Sequence, residues 1–176
     1  MSTHKSEGLI LHLRRYSETS LIAEWITRDH GMVHTLARGA LRPKKKHAPL
    51  DLFQQGDLVY RVSRASSLHT MVEFHPSFYH QHIAKDYRLV LTLTYAYECM
   101  KAFTEMDTPL TELYDLITRF IAHCKTSPLE KKTIEQLEYR LFSTLGLFHD
   151  SIAYTRQHLP RDPHQFSSYQ KLLRYL

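Results

Sequence analysis

Apolar residues in this chain recur at every second position as far as Phe74, and at every third or fourth from Ile83 onward. A period of two puts side chains on alternate faces of a strand. A spacing near 3.6 puts them on one face of a helix. Neither pattern buries its apolar face in the other conformation, so a β unit followed by an α unit is expected.

Leu9, Leu11 and Leu13 alternate with Ile10, His12 and Arg14, which predicts a first strand with one buried face. Tyr16-Ser17-Glu18 predicts a turn. Ser20 to Thr27, centred on Ile22, Trp25 and Ile26, predicts a second strand. Asp29-His30-Gly31 makes the next turn, and Met32 to Ala37 the third strand. Leu58, Tyr60 and Val62 predict a fourth strand, and Leu68, Thr70, Val72 and Phe74 a fifth. Five short strands with hairpin turns and one long loop suggest a small barrel. The oligonucleotide/oligosaccharide-binding (OB) barrel is one candidate of that size.

His75-Pro76-Ser77 punctuates the chain, so the expected domains are residues 1–76 and 77–176. Ile83 to Thr104 predicts one helix, with Leu89, Leu93, Ala96, Met100 and Phe103 on its apolar face. Thr108-Pro109, Ser127-Pro128 and Asp162-Pro163 each place a capping side chain before a proline suited to the first helical position. Glu130 and Gln165 stand at capping-box spacing from Ser127 and Asp162. Gly146 is the expected stop of the helix that starts at Pro128. The expected fold class is α+β multidomain: an N-terminal five-stranded small barrel, for which the OB fold is one candidate, then an all-α helical domain of roughly four helices.

Between the third and fourth strands lies Arg38-Gly39-Ala40-Leu41-Arg42-Pro43-Lys44-Lys45-Lys46-His47, with five permanent cations and no acid. Gly39 and Pro43 forbid a regular helix or central strand across it. Like charges this close repel, so a polyanion is the partner that would gather them. Residues 1–80 hold 11 Lys and Arg against 7 Asp and Glu, and residues 81–176 hold 12 against 11. Nearly all of the net +5 therefore lies in the first half, as in a binder of nucleic acid or an anionic surface. Arg38, Arg42, Lys44, Lys45 and Lys46 are expected to contact phosphates, which gives affinity without sequence readout. Arg14 and Arg15 would add contacts at the end of the first strand, where alternation leaves one of them on the open face. The nearby aromatics are Tyr16, Trp25, Phe53 and Tyr60. Trp25 shares a face with Leu21 and Ala23, and Tyr60 with Leu58 and Val62, which assigns both to the core. Tyr16 sits in a turn beside two arginines and is the base-stacking candidate.

Cys99 and Cys124 lie far apart and form neither a disulfide framework nor a C-x-x-C pair, which fits a reduced, cytoplasmic compartment. The N-terminus carries Lys5, Glu7 and His12 among few apolar residues, unlike a signal peptide. No apolar run reaches the roughly 18 residues of a membrane span. His75, His80 and His82 follow no metal-ligand spacing, so no metal is expected. There is no G-x-S-x-G, no H-E-x-x-H and no phosphate-cradling glycine loop among five glycines, so neither catalysis nor a cofactor is expected.

The run Gly8-Leu9-Ile10-Leu11-His12-Leu13-Arg14-Arg15-Tyr16-Ser17-Glu18-Thr19-Ser20-Leu21 resembles the first strand and turn of the RecO family of recombination mediator proteins. Thr27-Arg28-Asp29-His30-Gly31 and Ala37-Arg38-Gly39-Ala40 resemble that family's next hairpin and basic loop at matching spacing. Tyr95-Ala96-Tyr97-Glu98, Glu112 to Ile117 and Glu138 to Leu147 are similar to its first three helices. The resemblance covers about residues 7 to 148 and rests on the ordered series of motifs. It implies an OB-fold domain followed by a helical domain. It also implies a non-catalytic, nucleoid-associated protein that binds single- and double-stranded DNA and anneals complementary strands. With RecR, such a protein helps RecA replace single-stranded-DNA-binding protein (SSB). The helical domain would capture the acidic, phenylalanine-ended SSB tail, with Lys131, Lys132 and Arg140 as the nearest cations. Where relatives carry basic residues for this, the chain has Glu135 and Gln136. Some relatives hold a four-cysteine zinc site, but residues 149–166 contain no cysteine. Relatives also continue beyond the last helix, so a short form is expected. The competing reading is a protein–protein adaptor whose basic loop meets an acidic protein surface.

Overall fold

The computed structural model describes residues 2–42 and 49–175. Five strands close into a barrel in the order β1-β2-β3-β5-β4: β1 (Thr3–Arg15), β2 (Leu21–Thr27), β3 (Gly31–Ala37), β4 (Gln54–Arg61) and β5 (Leu68–Tyr79). All pairings are antiparallel except β3 with β5, which run parallel where His34, Thr35 and Leu36 meet Leu68, His69 and Thr70. This is an OB-fold barrel. Ile10, Ala23, Trp25, Val33, Leu58 and Tyr60 fill it, with Leu13, Met71 and Phe74 packed around them. Trp25 meets Phe74 edge-on at 4.9 Å, and its indole N–H donates to Thr35 Oγ1 at 2.8 Å. The buried ring thus keeps its one polar group satisfied.

Two strand expectations need correction. Ile10 and Leu13 face the same interior, because the register shifts between Ile10 and His12. This bulge reverses the alternation in mid-strand, so Leu9, Leu11 and Leu13 do not share one face. β5 does not stop at His75-Pro76-Ser77 but runs on to Tyr79. Pro76 lies opposite Gly56 of β4, beyond the stretch where β5 also pairs with β3. A proline is tolerated there because its missing N–H faces no second strand.

The barrel unit, residues up to His80, also includes Glu105–Thr111. Asp107 N–H donates to Met32 O at 2.9 Å, and Thr111 Oγ1 donates to Arg28 O at 2.9 Å. Asp107 Oδ1 lies 2.9 Å from His69 Nε2. The expected helix start at Thr108-Pro109 is therefore displaced: Thr108 Oγ1 turns to Met106 O, and the helix begins at Thr111. Contacts with the barrel override the local capping signal. Gly31, in the β2–β3 turn, has φ of +63°, and a Cβ there would lie 1.9 Å from Thr108 O.

At the same end of the barrel the His4 and His30 rings stack with centroids 4.6 Å apart. Burial first, then the neighbouring His4, hold His30 below the usual histidine value of 6.5, against the opposing pull of Asp29 and Asp107. The folded barrel therefore binds this proton less readily than the unfolded chain. Stability from this group is complete above pH 6.5 and falls as pH drops below it. His30→Gln is expected to flatten the decline of barrel stability below about pH 6.5, as measured by urea unfolding at stepped pH.

The second unit comprises Gln81–Thr104 and the chain from Glu112. It contains α1 (Gln81–Lys85), α2 (Tyr87–Phe103), α3 (Thr111–Thr126), α4 (Lys131–Thr144), α5 (Ile152–His158) and α6 (Ser167–Leu172), with short 3-10 turns at Pro163–Gln165 and Leu173–Tyr175. The single helix expected over Ile83–Thr104 is broken at Asp86, whose carboxylate accepts from Arg88 N–H at 2.9 Å and caps α2. Ser127 closes α3, and α4 starts three residues after Pro128 with Glu130 at its cap position. Gly146 ends α4: at φ of +69° it donates to Ser143 O, and Leu147 N–H donates to Phe142 O at 2.8 Å. This paired closure satisfies carbonyls that the last turn leaves open. In the core, Glu138 of α4 accepts from Tyr95 Oη of α2 at 2.9 Å and from two N–H groups of Arg156 of α5. Among the described residues no helix is long and apolar enough to cross a membrane.

Candidate nucleic-acid interface

The β1–β2 turn and the loop leaving β3 are stitched together. Tyr16 N–H donates to Ser20 O at 3.0 Å, which closes the turn. Arg15 ties it down from outside, donating to Ser17 O at 3.2 Å and to Glu18 O at 3.3 Å. Leu41 N–H reaches across to Thr19 O at 3.0 Å, and Gly39 N–H to Ser20 Oγ at 3.3 Å. Gly39 has φ of +68°, a left-handed bend that side chains resist, and Arg42 N–H returns to Gly39 O at 3.1 Å. Arg38 and Arg42 thereby project to one side of a tight turn. They line a cleft of about 500 Å³ with Tyr16, Thr19, Ser20, Leu36 and Gly39.

The predicted phosphate contacts divide into three groups. Arg38 and Arg42 are exposed, and neither side chain makes an ion pair or hydrogen bond among the described residues. Arg14 and Arg15 are exposed but engaged. Arg15 holds the turn, and Arg14 Nε lies 3.4 Å from Glu24 Oε1. Glu24 is 1% exposed and also faces His34 at 2.8 Å and His12 at 3.6 Å. Lys44, Lys45 and Lys46 lie outside the described residues. An arginine with its donors uncommitted is better placed to meet a phosphate than one whose charge is already matched.

The aromatics separate as sharply. Trp25, Tyr60 and Phe53 are buried, and Tyr60 stacks on His69 at 5.3 Å. Burial first, then Asp107 and Asp29, push the Tyr60 phenol up, so it stays neutral. Tyr16 is 58% exposed at the rim of the cleft. Thr19, Ser20 and Leu36 were not foreseen as lining residues. The Tyr-Ser-Glu-Thr-Ser run marked the turn, but only the cross-loop hydrogen bonds show what it packs beside. Phe78 and Tyr79, both exposed, also escaped notice because β5 was expected to end before them. His75 pairs with Glu73 at 2.8 Å, His80 meets Gln55 at 3.1 Å, and His82 meets the carbonyl of Ile121 at 3.1 Å. Among the described residues no group of three or more His, Cys, Asp or Glu is placed to hold a metal ion.

In the helical unit a cavity of about 650 Å³ opens between α3 and α4. Leu116, Phe120, Leu137 and Tyr139 supply apolar surface, Arg119 and Arg140 supply cations, and Glu112 and Asp115 supply acids. Of the three partner-binding residues expected from sequence, Arg140 lines this cavity. Lys131 and Lys132 are exposed in the first turn of α4 and do not line it. Arg119, 3.7 Å from Asp115, was missed, because it lies on a different helix from the motif that pointed to the region.

Comparison with known proteins joins these observations. The family model described as "Recombination protein O N terminal" matches residues 1–77, the strands that form the barrel. Beyond it, similarity extends over about four fifths of the chain to proteins named DNA repair protein RecO. The Actinobacillus pleuropneumoniae protein is 29% identical over 142 residues, which are 79% of this chain and 57% of that protein. The Bacillus pumilus protein is 26% identical over 145 residues, 81% of this chain and 56% of that protein. The Haemophilus influenzae protein is 27% identical over 149 residues, 83% and 61% of the respective chains. The chain thus spans less than two thirds of the length of the relatives it matches. The barrel strands thus match the N-terminal RecO family model, and the helices that follow them share the likeness to proteins named DNA repair protein RecO.

Proposed function

We propose that this chain is a non-catalytic mediator of DNA repair and recombination. It binds single- and double-stranded DNA on its barrel unit, promotes annealing of complementary strands and helps load RecA onto SSB-coated DNA. The observation that carries the reading is the stitched cleft, where two uncommitted arginines flank an exposed tyrosine on the basic half of the chain. Phosphates neutralised by Arg38, Arg42 and Lys44–Lys46 would give sequence-blind affinity. Cations that screen two strands at once lower their mutual repulsion, which favours annealing.

The helical unit would take the protein partners. The α3–α4 cavity offers apolar walls for a terminal phenylalanine and Arg119 and Arg140 for its carboxylate, as the SSB tail requires. RecR is the other partner that the family suggests.

The test is annealing of complementary oligonucleotides, naked and SSB-coated, with binding followed over a range of salt. Arg38→Ala/Arg42→Ala is expected to slow both annealing reactions. It should also reduce the slope of log affinity against log salt by about one unit per lost contact. An unchanged slope, together with tight binding of an acidic protein and negligible DNA affinity, would favour the adaptor reading.

A further inference from the structure

The cleft beside Tyr16 holds more than a phosphate needs. A phosphate calls for N–H donors and little volume. Here Arg38 and Arg42 share about 500 Å³ with the half-buried Leu36 and the open face of Tyr16. That volume falls within the range of clefts that enclose small organic molecules. Its walls complement a nucleotide, which offers a flat base to Tyr16 and anionic oxygens to the two arginines.

The cleft is also built in advance. Leu41 N–H to Thr19 O and Gly39 N–H to Ser20 Oγ lock the two loops together. Arg15 braces the turn that carries Tyr16. A ligand then meets backbone already ordered and does not bear that entropy cost. Tyr16 is 58% exposed and lies outside the barrel core.

Duplex and single-stranded DNA differ in what they can present to such a cleft. A duplex keeps its bases paired and stacked, so only its phosphates reach Arg38 and Arg42. A single strand can turn a base outward onto an aromatic ring at little cost. We propose that the cleft holds one unpaired nucleotide, with its base against Tyr16 and Leu36 and its flanking phosphates on Arg38 and Arg42. Tyr16 then sets the preference for single strand over duplex. This rests on the DNA-binding reading above and adds the class of strand that the site selects.

Filter-binding titrations of an oligothymidylate and a blunt duplex at one salt concentration test it, using wild type, Tyr16→Leu, Tyr16→Phe and Arg38→Ala/Arg42→Ala. Tyr16→Leu is expected to weaken oligothymidylate binding by about 5- to 150-fold, the range for losing one stacked base, and to leave the duplex within about twofold of wild type. Tyr16→Phe keeps the ring and should bind as wild type does. Circular dichroism of each variant checks that the fold is intact. Tyr16→Leu weakening both ligands equally, or neither, overturns the inference. If the arginine variant weakens both ligands while Tyr16→Leu weakens neither, only the single-strand inference falls. If the arginine variant weakens neither, the DNA-binding reading falls with it.

Discussion

Glu138→Ala is expected to destabilise the helical unit by about 3–5 kcal/mol, the usual cost of breaking a buried ion pair by removing one partner. Glu138 is 1% exposed, and one carboxylate joins three helices: α4 carries it, α2 contributes Tyr95 and α5 contributes Arg156. Alanine would leave the Arg156 guanidinium, 23% exposed, without its counter-charge, and the Tyr95 hydroxyl without its acceptor. Arg156 also lies over the Tyr169 ring of α6 at 5.6 Å, so the disturbance passes to a fourth helix. Urea unfolding monitored by circular dichroism measures the loss. Glu138→Leu/Arg156→Met should cost much less than the sum of the single changes, because it removes both charges together. A loss below 1 kcal/mol for Glu138→Ala would show that the network adds little.

Gly31→Ala is expected to be nearly as damaging to the barrel, by about 2–5 kcal/mol when left-handed strain and overpacking add. The added Cβ would meet Thr108 O at 1.9 Å, a backbone atom that no rotamer change can move aside. Either the β2–β3 turn or the Glu105–Thr111 segment must shift, and the Asp107 to Met32 hydrogen bond shifts with it. Gly146→Ala is the internal control. Its φ is also positive, +69°, but among the described residues nothing lies within 4 Å of the added atom. It should cost only the conformational share, about 1–2 kcal/mol. Thermal melts of the two variants beside wild type separate contact from conformation. Equal losses at the two positions would refute the steric account.

The barrel was legible in the sequence because its strands carry alternating apolar stretches punctuated by turns that Gly31 and Ser17-Glu18 announce. What stayed hidden was whatever depends on a partner strand. The bulge at Leu11 exists only against β2, and no periodicity count reveals it. Pro76 looked like a stop because a proline in a doubly paired strand would be one, yet β5 there pairs only with β4. Most helices were readable and their starts were not: α5 at Ile152–His158 was not expected, and Asp162-Pro163 opens a 3-10 turn while α6 starts at Ser167. Asp86 caps α2 inside a run that looked continuous, and Thr108 gives up its capping role where its neighbour Asp107 bonds to Met32, 75 positions back. At the cleft, residue type marked Arg38, Arg42 and Tyr16, but charge alone could not rank the arginines. Arg14 and Arg15 carry the same charge and spend it within the fold, on Glu24 and on the β1–β2 turn.

One feature of the two cores gives each unit its own built-in indicator. The chain has a single tryptophan, Trp25, sealed inside the barrel with its N–H on Thr35. Its emission therefore reports the barrel and is silent about the helices. Cys99 is fully buried among the helices, and burial pushes its thiol well up, so a thiol reagent reaches it only when those helices open. Cys124 is partly exposed with its thiol pushed up to about 11, so it too reacts slowly, but it marks the helix surface and not the interior. Intrinsic emission and Cys99 modification, followed in the same unmodified protein, would show whether the two units open together or in turn.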